Sequence, residues 1–445
     1  MRLITGVLLM LFSFSWTSAA SAGTLAEYME AKRIYAAAAA CMASYSNRFG
    51  GIAVTAFEQE GWKVEPKKLV GEKADARYLL AWNPNSEQDR DVYLLAIGGS
   101  ESFRDAKVDL RTKKVYFAGS TLDEFAANAA RADLPSDVPR VHEGFNQAAQ
   151  LLLSAGTVLA NDSQAGTERS IANILREDHN DKIYLVGHSL GGAVATLLAA
   201  RLIDMGVKAS QIEVINFGAP SVGNEAFVQK YDGKFVQTRI VADGDPVPYA
   251  LRRIYGGYRQ MGSVQEWAVP DDLKNYFSHD MPVYLDLALK KYYPKLRRAI
   301  NEGLVPRSEP VVGKNRLYVA QIKNSLPPAL QSEFPYMQEA LWEQYDGILP
   351  GYVVDTGENS TLSNLEKAAA AGCSLLVVPE IQAVQVRAEN TYYISLNQTV
   401  YRVRDGTALN VGLYGSNAKE LTPMDALIHN ARLMSRESST WAELQ

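Results

Sequence analysis

Residues 182–202, KIYLVGHSLGGAVATLLAARL, run a β-favouring stretch directly into Gly-His-Ser-Leu-Gly-Gly and then into a small-residue apolar stretch of helical character. No residues are left over for a loop, so the chain must pass from strand to helix in a very tight turn. Such a turn holds its serine in a strained backbone conformation, and the close neighbours must lack side chains. It lifts the hydroxyl above the sheet edge and aims the N–H groups of the next helix at it, where they favour developing negative charge. The pentapeptide Gly187-His188-Ser189-Leu190-Gly191 therefore reads as G-x-S-x-G in its proper setting, with Ser189 as nucleophile.

The rest of the chain alternates in the same way. A capping box at Thr24–Glu27 opens an alanine-rich helix that runs to Gly50-Gly51. Strands are expected at ARYLLAW from Ala76, at DVYLLAI from Asp91, at QIEVINF ending at Phe217 and at KFVQTRIVA ending at Ala242. Helices are expected over Phe145–Leu159, Thr167–Arg176 and Val283–Ile300. This order implies a mostly parallel α/β sheet. The stretch Asn301–Asn315, with two prolines, two glycines and several charges, reads as a linker. Beyond it come RLYVAQI, GYVVD, a helix at Leu362–Ala371, CSLLVVPEI, the antiparallel-looking strands TYYISLN, TVYRVRD and ALNVGLYG, and a last helix from Pro423.

A serine hydroxyl needs a base to take its proton, and the base needs an acid to fix its tautomer. Of the five histidines, His188 flanks the serine and would point away from it, His179 lies in a polar turn, and His429 lies far downstream. His142 precedes the nucleophile. In the order Ser…Asp…His only His279 fits. The acid should follow a strand between the two. VADGDPVPYA offers Asp243 and Asp245, and the Asp245-Pro-Val-Pro turn can hold a carboxylate still.

Several motifs stand in a fixed order: VHEGF at Val141, GHSLGGAVATLLA, FGAPSVGN at Phe217, DPVP at Asp245 and HDMPVY at His279. With them, residues 28–284 resemble the class 3, or fungal-type, lipases of the α/β-hydrolase fold. The resemblance implies a triad of Ser189, Asp245 and His279, favours Asp245 over Asp243, and leaves His142 structural. It implies an oxyanion hole from the backbone N–H groups of Leu190 and Ser100, the latter in Ile97-Gly98-Gly99-Ser100, where the family has F-R-G-[ST] and this chain has glycine for the arginine. It also implies a lid over Ser102–Phe117. Ala106 stands where a tryptophan anchor is usual, and Phe103, Val108 and Leu110 are left as inward contacts.

The expected architecture is an α/β-hydrolase with a mostly parallel central sheet, plus a smaller C-terminal α/β (α+β) domain. Its parts are a signal peptide over 1–22, the lipase-like domain over 23–300, a linker over 301–315 and a C-terminal domain over 316–445. Arg2, the apolar Leu3–Trp16 and the small-x-small Ala20-Ser21-Ala22 carry the signal reading and imply an exported, periplasmic or secreted chain. Cys41 and Cys373 read as two buried thiols, with a disulfide tying the first helix to the C-terminal region as the alternative in an exported chain.

A net charge of −5, from 45 basic and 50 acidic residues, gives no basic footprint for nucleic acid. No metal or organic cofactor is expected. The expected activity is hydrolysis of lipid acyl esters, with phospholipid hydrolysis or acyl transfer on the same triad as alternatives. A further alternative is a non-catalytic, envelope-binding protein, for which the C-terminal domain would take an envelope or protein partner. The bland reading of that domain is a stabilising appendage.

Overall fold

A computed structural model describes residues 19–45, 54, 57–58, 62–70, 75–87, 90–99, 113–135, 137–154, 170–306, 317–349, 351–355, 357, 360–387, 391–418 and 421–437. The signal-peptide residues 1–18, Ser100, lid residues 102–112 and linker residues 307–315 lie outside these.

The central sheet has seven strands: β1 (Lys63–Val70), β2 (Asp75–Glu87), β3 (Arg90–Ile97), β6 (Lys182–His188), β7 (Ile212–Phe217), β8 (Val236–Ala242) and β9 (Ser263–Trp267), in that spatial order. The pairs β1–β2 and β2–β3 are antiparallel, and every pair from β3 to β9 is parallel. A separate short ladder joins β4 (Lys114–Tyr116) to β5 (Arg140–His142). The sheet is that of the α/β-hydrolase fold.

Its strands are apolar on both sides because both sides are covered. On β3, Val92, Leu94 and Ala96 face one core and Tyr93, Leu95 and Ile97 the other; on β6, Tyr184 and Val186 oppose Ile183 and Leu185. The first core is closed by helix α1 (Ala19–Ala43) and helix α8 (Met281–Asn301). The second is closed by α3 (Glu143–Ser154) and α5 (Leu190–Asp204), with α2 (Leu122–Ala129), α4 (Ile171–Glu177), α6 (Glu225–Tyr231) and α7 (Val247–Tyr255) around them. Helix α1 starts upstream of Thr24, so that residue lies inside the helix, buried, rather than capping it.

The C-terminal sheet runs β12 (Tyr352–Val354), β10 (Leu317–Val319), β13 (Leu375–Arg387), β14 (Thr391–Arg402), β15 (Ala408–Asn417), with β11 (Lys323–Ser325) beside β13. The two expected strands TYYISLN and TVYRVRD are one continuous β14. Helices α9 (Phe334–Ile348) and α11 (Pro423–Glu437) cover one face, and α10 (Thr361–Ala370) packs at the parallel end. On the other face Val384, Tyr393, Val411 and Leu413 are exposed, Leu413 at 72%.

The core containing α1 and α8 continues without a break through α9 and α11 into this second sheet. A polar knot reinforces the junction. Lys290 on α8 reaches Asp272 at 2.9 Å, Asp286 at 2.9 Å and Glu333 at 2.7 Å, the last from the 3₁₀ turn Pro328–Glu333. Cys41 and Cys373 are both buried and free.

Candidate active site

Ser189 stands between the last residue of β6 and the first of α5, with φ 56° and ψ −126°. Among the described residues it is the one non-glycine at positive φ. The glycines explain how so sharp a turn closes. A Cβ on Gly187 would run into the backbone of Gly191, one on Gly191 would meet the carbonyl of Ile97, and one on Gly192 would lie 2.8 Å from the Ala219 Cβ. The Ser189 N–H donates to the Phe217 carbonyl at 2.9 Å, which ties the turn to the neighbouring strand β7.

Three sequence-chosen side chains meet here, all buried. His279 Nε2 lies 2.9 Å from Ser189 Oγ, and His279 Nδ1 lies 2.8 Å from Asp245 Oδ2. A carboxylate only accepts, so the ring proton sits on Nδ1, and Nε2 is left to accept from the serine hydroxyl. Asp245 follows β8. Its Oδ1 accepts from the Val247 N–H at 2.8 Å, and its Oδ2 also accepts from the Tyr284 hydroxyl at 2.6 Å. Tyr284 in turn accepts from the Ala242 N–H at 3.0 Å. Asp243 is exposed, outside this network, with its N–H on the Trp267 carbonyl.

His188, set aside in the sequence as pointing away from the serine, does so. Its ring lies beside that of His279, with centroids 4.7 Å apart. Its Nε2 is 2.7 Å from the His279 carbonyl, and its Nδ1 is 2.6 Å from the hydroxyl of Tyr45. Burial, and then the neighbouring His279, hold the pKa of His188 well below the ordinary histidine value, so it is neutral. His142 lies elsewhere, stacked on Phe145 with centroids 4.1 Å apart, and burial lowers its pKa to about 4.

Leu190 is the first residue of α5, so its N–H has no carbonyl within the helix to bond. In the loop after β3, the Gly98 N–H donates to the Arg77 carbonyl at 2.9 Å, and Gly99 packs against the Tyr45 hydroxyl. The Gly98 N–H is therefore engaged. Ser100, the expected second donor, is outside the described residues. So is most of the expected lid, while its last residues belong to the scaffold. Lys114–Tyr116 form β4, and Phe117 is buried under the guanidinium of Arg201, which lies 3.5 Å from its ring centroid and 3.9 Å from that of Phe125.

Sequence reasoning missed Tyr45, Gly218 and the roles of His188 and Tyr284. Tyr284 closes H-x-x-x-x-Y and could have been found by its spacing from His279. Tyr45 has no local signature.

Residues 94–253 match the family model described as Lipase (class 3). A lipase of Caenorhabditis elegans, ZK262.3, is 33% identical over 137 residues, covering 26% of this chain and 39% of that protein. Secreted mono- and diacylglycerol lipase 1 of Fusarium solani is 36% identical over 122 residues, 27% and 32% of the two chains. Phospholipase A1-II 4 of Oryza sativa subsp. japonica is 30% identical over 116 residues, 24% and 28%. The chain thus spans between 28% and 39% of the length of these relatives. Among solved structures, the triacylglyceride lipase of Rhizomucor miehei aligns with TM-score 0.40 at 20% identity, over 55% of this chain and 82% of that one. Over residues 94–253 the chain is similar in sequence to the class 3 lipases, a family of the α/β-hydrolase fold.

Proposed function

We propose that this protein hydrolyses carboxylic esters of lipids, with Ser189 as nucleophile, His279 as general base and Asp245 as the orienting acid. The observation that carries the reading is the buried line of hydrogen bonds Ser189–His279–Asp245, at 2.9 and 2.8 Å, on a strained strand-to-helix turn. His279 Nε2 takes the Ser189 proton as Oγ attacks the acyl carbonyl. The negative charge of Asp245 stabilises the imidazolium that forms. The N–H groups of Leu190 and Ser100 receive the oxyanion, each donor of this kind being worth ~3 kcal/mol in the transition state. His279 then returns the proton to the departing alcohol. Water, deprotonated by the same ring, releases the acid from the acyl-enzyme.

Glycerophospholipids are a second reading of the substrate, supported by the relative named as a phospholipase A1. Export follows from the signal reading of residues 1–22, and three fungal relatives are named as secreted. The test is a panel of p-nitrophenyl esters, di- and triglycerides and phospholipids, offered to the purified chain and to Ser189→Ala. Turnover in the wild type and a loss of up to ~10⁶-fold in Ser189→Ala are expected. A variant that keeps a tenth of the activity sinks the reading and leaves a binding protein on a hydrolase fold.

A further inference from the structure

We infer that Tyr45 is a positioning residue of this reaction, its hydroxyl selecting the His188 tautomer that anchors the backbone of the base, His279. The inference rests on the hydrolase reading above. Tyr45 stands just past the end of α1, 143 residues from His188 in sequence, and is partly buried against the loop that follows β3.

Three groups fix the arrangement. The His279 carbonyl can only accept, so His188 Nε2, 2.7 Å away, carries the ring proton. A neutral imidazole has one N–H, so Nδ1 is bare. The Tyr45 hydroxyl oxygen lies 2.6 Å from that bare nitrogen, and its hydrogen is the one proton available to the pair. The other tautomer would face a lone pair on Nε2 with a carbonyl oxygen and set two hydrogens between Nδ1 and the tyrosine oxygen. At these separations both contacts are repulsive.

One hydroxyl thus ties two pieces of the site, the elbow through His188 and the base loop through the His279 backbone, and packs against a third, the loop after β3, at Gly99. Gly99 is part of the fit, since a Cβ there would lie 2.5 Å from the Tyr45 hydroxyl and 3.3 Å from the Ser189 Cβ. Tyr45 does for His188 what Asp245 does for His279. The difference is that it acts one layer back, on where the base sits rather than on its charge.

Tyr45→Phe keeps the ring and removes the hydroxyl. The expected result is a kcat lowered ~10–100-fold, the size of effect that a small misplacement of a reacting group produces, with KM changed by less than about twofold. Combining Tyr45→Phe with His188→Phe should cost no more than His188→Phe alone, because the hydroxyl acts through the imidazole. A kcat for Tyr45→Phe within about twofold of wild type, or penalties that multiply, would overturn the inference. Should Tyr45→Phe fail to fold, ¹⁵N NMR of histidine-labelled wild-type protein reads the tautomer directly. Nε2–H with a bare Nδ1 on His188 is expected, and Nδ1–H overturns it. Labelling with a fluorophosphonate separates the two levels. Wild-type protein that does not react at Ser189 overturns the hydrolase reading, and the kinetic role with it. Wild type and Tyr45→Phe reacting at the same rate overturn the role of Tyr45 alone.

Discussion

A Cβ on Gly218 would stand 2.6 Å from Asp245 Oδ2, inside the hydrogen bonds that this oxygen accepts from His279 and Tyr284. The residue also has φ +59°, where a side chain is strained whatever the space. On the proposed triad, Gly218→Ala should lower kcat by ~10²-fold or more, as a displaced acid turns the base out of line. Steady-state kinetics on a soluble ester check this, and an unchanged kcat would show that the acid loop yields at no cost.

The two aspartates of VADGDPVPYA separate cleanly. Asp245→Asn should lose ~10⁴-fold in kcat, because an amide holds the base in the wrong tautomer. Asp243→Asn should change kcat by less than ~3-fold, since its side chain is exposed and it meets the fold through its backbone N–H. Reversed effects would place the acid on the wrong residue.

The knot around Lys290 makes stability depend on pH. Burial, and then the charge of Asp286, raise the Glu333 pKa to about 9, and Asp425 is raised well above its ordinary value by the same two causes. Asp272, Asp286, Lys290 and the Tyr276 hydroxyl face the same point. Glu333 keeps its proton in the folded chain up to about pH 9 but loses it near 4.5 when unfolded. Folding therefore takes up a proton across that window, and stability falls as pH rises through it. Urea midpoints at about pH 6 and about pH 9 should differ in wild type and differ less in Glu333→Gln. Equal pH dependence in both would remove Glu333 from the account.

Ending the chain after Pro306 tests whether the first unit stands alone. Tyr292 and Tyr293 donate to Glu343 at 2.7 and 3.0 Å, and Leu285 and Leu289 belong to the core shared with α9 and α11. Removing those partners would uncover several large side chains, each worth ~1.5–3 kcal/mol of burial. We expect an insoluble or non-cooperatively unfolding fragment. A soluble fragment with a sharp transition and full activity on a small ester would show that the linker divides two independent domains.

The strand-turn-helix around Ser189 could be read in the sequence because its steric demand leaves glycines at fixed spacing. The parallel strands β3, β6, β7 and β8 could be read because burial on both faces makes them continuously apolar. Strand β1, KVEPKKLV, could not. It lies at the sheet edge, where lysines and a proline guard against further pairing and erase the apolar signal. The ladder β4–β5 is too short to show a period. Tyr45 and Glu333 act only after distant segments have met, and nothing beside either residue announces its partner.

Strand β15 is the last of its sheet, and Val411 and Leu413 stand on its uncovered face at 65% and 72% exposure. An outer strand with apolar side chains on its open face can offer its backbone N–H and C=O groups to another chain that presents the same. Concentrating this protein therefore selects for edge-to-edge association before anything at the catalytic end is touched. Leu413→Lys, a charge on the open face of that strand, is the first change to make in a preparation meant for crystals or for storage.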